Sequence, residues 1–98
     1  MKVHPVIEEA MDLRRKNHIL NAEKFIETRN IFHKLVNEVQ SKITTETSKD
    51  LKEKSETLRR KGTYMAVRGQ SNFVRYTCKL QEINTSLHHL LAEFSPNN

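Results

Sequence analysis

The sequence has no tryptophan, one cysteine, two glycines and two prolines in 98 residues. Each scarcity excludes something. A lone Cys78 cannot close an internal disulfide, which sets aside the stapled secreted scaffolds common at this length. So few glycines and prolines cannot supply the turns that a β-sandwich of many short strands requires. No apolar run approaches the roughly 18 residues that would cross a bilayer. The opening Met1-Lys2-Val3-His4-Pro5 leads into Glu8, Glu9 and Asp12 and not into an apolar stretch, so no secretory leader is expected. Neither membrane attachment nor secretion is suggested, and a cytoplasmic setting is the simplest expectation.

What the chain does have is charge and helix-forming residues. Charged side chains make up 30% and apolar ones 36%, with a net charge of +5. That apolar share suits helices that each bury one stripe. The length allows one domain, residues 1–98.

Helices are expected near 5–20, 21–44, 48–61 and 72–94. Pro5 suits a first turn, and the acids that follow complement the helix dipole. Between Val6 and Ile43 there is neither glycine nor proline. Val6, Ile7, Ala10, Leu13 and Leu20 form one apolar stripe. A second comprises Ala22, Phe25, Phe32, Val36, Val39 and Ile43, with Arg29 at the skipped step. Asn21 either caps a second helix or lies inside one helix of nearly 40 residues. The threonine-rich Thr44–Ser48 segment breaks the pattern, and Thr47 or Ser48 is expected to cap the next helix. That helix has only Leu51 and Leu58 as large apolar residues, and Gly62 is its expected stop. Arg59, Arg60 and Lys61 would then sit at the negative end of its dipole. Residues 62–69 read either as further helix or as extended linker. Ser71 or Asn72 caps the last helix, whose seam is the most regular in the chain. Phe73, Tyr76, Leu80, Ile83, Leu87, Leu90 and Phe94 advance in alternating steps of three and four, as in a coiled coil.

Sites of chemistry are sparse. His4, His18, His33, His88 and His89 offer no chelating spacing, so no metal is expected. Cys78 lies between Arg75 and Lys79 but has no base beside it, and no glycine-rich phosphate loop exists. No catalytic residue, no cofactor and no enzymatic activity are expected. One feature exceeds background. Between Glu56 and Glu82, Arg59, Arg60, Lys61, Arg68, Arg75 and Lys79 occur without one acidic residue, with Tyr64, Phe73 and Tyr76 interleaved. The stretch Gly69-Gln70-Ser71-Asn72 at a helix start also suggests a place for a phosphate or a partner's acidic side chain, flanked by Arg68 and Arg75.

The expected fold is all-α: a small bundle or hairpin of three to four helices with coiled-coil-like packing, which dimerisation would complete. The expected function is a protein-binding adaptor or regulator. It would dock through the apolar seam while the basic stretch steers an acidic surface. The alternative is a nucleic-acid-binding or nucleoprotein accessory factor using the basic region 59–79.

Overall fold

A computed structural model describes residues 4–94, and every regular element within them is helical. Helix α1 runs Pro5–Lys42, α2 runs Lys49–Arg68 and α3 runs Phe73–Phe94. A single 3-10 turn, Gly69–Ser71, joins the last two. The outline measures 70 × 25 × 15 Å. Most of that length is α1, whose 38 residues rise by about 57 Å.

The boundaries follow from local chemistry. His4 caps α1, its Nδ1 accepting from the Val6 N–H at 3.3 Å. Asn17 and Asn21 lie within the helix, so the division into 5–20 and 21–44 gives way to one continuous element. With no glycine or proline in the interval, nothing forces a break. At its far end the threonines bond to one another. The Thr44 N–H donates to Thr47 Oγ1 at 2.9 Å, and the Glu46 N–H donates to Thr44 Oγ1 at 3.2 Å. Ser48 Oγ then accepts from the Leu51 N–H at 3.2 Å and starts α2.

Gly62 does not end α2, contrary to the sequence expectation; the helix continues to Arg68. The reason is packing. Gly62 is buried, and a Cβ there would overlap the ring of Phe32; a Cβ at Gly69 would overlap the ring of Phe25. Each glycine makes room for a phenylalanine of α1. The antiparallel register that pairs Phe32 with Gly62 and Phe25 with Gly69 also sets Thr28 against Ala66 and Val39 against Ser55. All of these side chains are buried. Large residues on α1 thus meet small ones on α2. That explains how α2 packs with only two large apolar residues in its first half.

Helix α3 packs against both others. Leu80, Ile83, Leu87 and Leu90 are buried, and Phe73, Tyr76 and Phe94 lie half-buried beside them. Burying Phe25, Phe32, Leu80 and Leu87 completely contributes about 1.5–3 kcal/mol each, before ordering costs. Buried hydroxyls of Thr28, Ser55 and Thr77 donate to the carbonyl one turn earlier, so they cost little. Asn84 instead donates from Nδ2 to the Thr28 carbonyl of α1 at 3.1 Å, fixing how α3 sits on α1. Its Oδ1 is buried without a partner.

The core involves α1 only from about residue 21 onward. Val6, Ile7, Ala10, Leu13 and Leu20, expected to bury a stripe, are all exposed, because α2 and α3 are too short to reach them.

Candidate functional site

The basic residues divide into two groups. Arg59 is half-buried and lies on the flank of α2 nearest α1, in a hollow shared with Val36, Val39 and Gln40. Its guanidinium forms a two-point pair with Glu56, Nε donating at 3.0 Å and Nη2 also engaged. The hydrogen bond holds the Glu56 carboxyl below the usual carboxylate range and raises the Arg59 guanidinium. Arg60 also reaches Glu56, at 3.9 Å. Arg59 is therefore neutralised, and Arg59, Arg60 and Lys61 sit within α2 and not at its end, so the dipole role expected of them does not apply.

The other group lies along the groove between α2 and α3. Lys54, Lys61 and Arg68 are seven apart and form one row on α2; Lys79, Ser86 and Glu93 are likewise seven apart on α3. The helices run antiparallel, and Lys54 pairs with Glu93 across the groove at 3.6 Å. Continuing that register by one heptad sets Lys61 beside Ser86, and by a second sets Arg68 beside Lys79. At the Lys54–Glu93 end opposite charges meet, with Asp50 also 3.5 Å from Lys54. At the other end like charges meet, and Arg75 adds a third cation one turn before Lys79. Among the described residues, no ion pair is formed by Lys61, Arg68, Arg75 or Lys79, all exposed.

Two of these cations are held over aromatic rings. The Arg68 guanidinium lies 5.1 Å from the Tyr64 ring centroid, and that of Arg75 lies 5.7 Å from Tyr76. Tyr64 is exposed and shares a shallow depression with Thr57, Arg60, Lys61 and Met65. Such contacts contribute about 0.5–1 kcal/mol at exposed sites and fix where the charge points.

The helix start at 69–72 is already satisfied. Asn72 Oδ1 accepts from the Arg75 N–H at 3.2 Å, and the Ser71 hydroxyl donates to the Arg68 carbonyl at 3.1 Å. Asn72 thus fills the place suggested for an anion, and the Arg68 and Arg75 guanidinium groups lie over Tyr64 and Tyr76 instead.

Of the seam residues, Leu80, Ile83, Leu87 and Leu90 are buried in the core, and Phe73, Tyr76 and Phe94 are packed against it half-buried. The histidines are scattered: His18 packs on Phe73 with centroids 5.4 Å apart, and His33 on Phe32 at the same distance. Among the described residues no group of three His, Cys, Asp or Glu side chains converges, and no helix is long and apolar enough to cross a membrane. Cys78 is exposed. No family model matches the chain, nor does any curated protein or solved structure.

Proposed function

We propose that this chain is a non-enzymatic helical adaptor that docks an acidic protein surface onto the cationic end of the α2/α3 groove. One observation carries the reading: among the described residues Lys61, Arg68, Arg75 and Lys79 form no ion pair, and the Lys54–Glu93 register, continued by two heptads, sets Arg68 beside Lys79. Like charges held together cost energy that an incoming anionic group recovers. Lys61, Arg60 and exposed Tyr64 extend the surface along α2, with the Tyr64 ring holding the Arg68 guanidinium.

A protein partner is favoured over nucleic acid by the state of the aromatics. Tyr64 already carries Arg68 and Tyr76 is half-buried, so no ring series is open for successive bases to stack upon. The test uses two probes, a poly-glutamate peptide and a single-stranded homopolymer oligonucleotide, titrated across a salt series. The peptide is expected to bind at low salt, and Lys79→Glu is expected to weaken it at least about tenfold. Tighter oligonucleotide binding with a steep salt slope would hand the site to nucleic acid. Peptide binding indifferent to Lys79→Glu would place the site elsewhere.

A further inference from the structure

The first half of α1 projects as a single helix that meets the bundle at its root, where His18 packs on Phe73. From Pro5 to Asn17 it extends about 20 Å beyond that contact, and every side chain from Pro5 to Leu20 is exposed. An isolated helix of that length is marginal in water. This one carries a patterned apolar edge. Val6, Ala10, Leu13, Asn17 and Leu20 advance by four, three, four and three, and Val6, Leu13 and Leu20 are 64%, 60% and 62% exposed. A seam so spaced is completed by a second helix.

The charge along the arm says which helix. Its acids, Glu8, Glu9 and Asp12, all precede its bases, Arg14, Arg15 and Lys16. The arm is therefore neutral overall and polar lengthwise, the complement of its own reverse. Within the arm Lys16 binds Asp12 at 3.0 Å and holds its carboxyl below the usual range, and its ammonium keeps further donors for a second carboxylate. In heptad terms Glu9 and Lys16 lie on the same flank of the seam, and antiparallel helices bring such flanks together.

We propose that two copies of the protein dimerise by pairing their α1 arms antiparallel, with Glu9 of each copy meeting Lys16 of the other. The contact is isologous, as a twofold axis requires, and lies near residues 11 and 12. Each bundle sits at the opposite end of the paired arms, so the two do not collide. The tip of each arm reaches the other bundle at the hollow lined by His18, Asn21, Phe73 and Val74, where Val74 is 70% exposed. The surface is separate from the α2/α3 groove, so this dimer stands whether or not that groove binds an acidic partner.

The test is sedimentation equilibrium of the full chain from micromolar to sub-millimolar concentration. Wild type is expected to dimerise, and Leu13→Glu, which alters two positions per dimer, is expected to weaken it about a hundredfold while the bundle melts as before. A wild type that stays monomeric throughout overturns the proposal, as does a dimer that survives Leu13→Glu. Orientation is read from charge reversal. Glu9→Lys and Lys16→Glu should each be monomeric alone and associate when mixed, because only the mixture sets residue 9 against an opposite charge at residue 16. No association on mixing rejects the antiparallel arrangement.

Discussion

Gly62→Val is expected to destabilise the protein by about 3 kcal/mol or more, at the severe end for an inserted side chain in a packed core. The sign is opposite to that expected from helix propensity, since valine is better tolerated than glycine within a helix. Phe32 decides the matter. It is 1% exposed and fills the space where the new side chain would go, and a fully buried ring has nowhere to retreat. The account also predicts relief. In a Phe32→Ala background, which alone costs about 3–5 kcal/mol, Gly62→Val should be almost harmless, because the bulk has moved from α1 to α2. Urea denaturation of the four proteins measures that coupling. A Gly62→Val chain as stable as wild type would mean that α1 and α2 do not approach as described.

Leu80→Asp is expected to abolish cooperative folding at neutral pH. Leu80 is 0% exposed, so truncation alone would cost about 2–5 kcal/mol. A buried carboxylate without a cation adds several more. Against the roughly 5–15 kcal/mol expected of a domain this size, little remains. Burial raises the pKa of the introduced acid in the folded state. The defect relative to wild type should therefore be smallest below about pH 4 and deepen as pH rises through that folded value. Gln81→Asp, at the neighbouring exposed position of α3, should leave the melting curve within about 0.5 kcal/mol of wild type. Equal tolerance at both positions would show that α3 is not the inner helix.

The all-helical character was legible from composition, and the last helix from its spacing, because an alternating three-and-four seam has few other uses. The caps were legible to within one residue: Thr47 or Ser48 resolves to Ser48, and Ser71 or Asn72 to Asn72. The end of α2 was not. Gly62 looks like a helix stop in one dimension, and only Phe32, thirty positions away, gives it a different purpose. The signal was present, since Gly62 and Gly69 repeat the spacing of Phe32 and Phe25. Thr28 and Leu35 were missed as core positions, Thr28 because its hydroxyl is satisfied by its own helix and the methyl group can be buried. The exposed state of Val6–Leu20 was hidden as well. A stripe pattern reports which face is apolar, not whether another helix is long enough to cover it.

The candidate site was half legible. Segregated charge is a sequence property, and it singled out the stretch that contains the proposed docking site. It could not separate Arg59, neutralised by Glu56 one turn away, from Arg68 and Lys79, which form no ion pair among the described residues. Only the antiparallel pairing of α2 with α3, anchored at Lys54 and Glu93, gives a register that, continued by two heptads, sets those two cations side by side.

The most direct measurement of that juxtaposition is a double-mutant cycle on stability at low salt, combining Lys79→Glu with Arg68→Ala. Lys79→Glu should stabilise the protein by about 0.5–1 kcal/mol where Arg68 is present, lose most of that gain where Arg68 is alanine, and lose it again at high salt. A gain that ignores both the Arg68 background and the salt, or no gain at all, would mean that the two cations do not share the groove and that the proposed docking site has no basis.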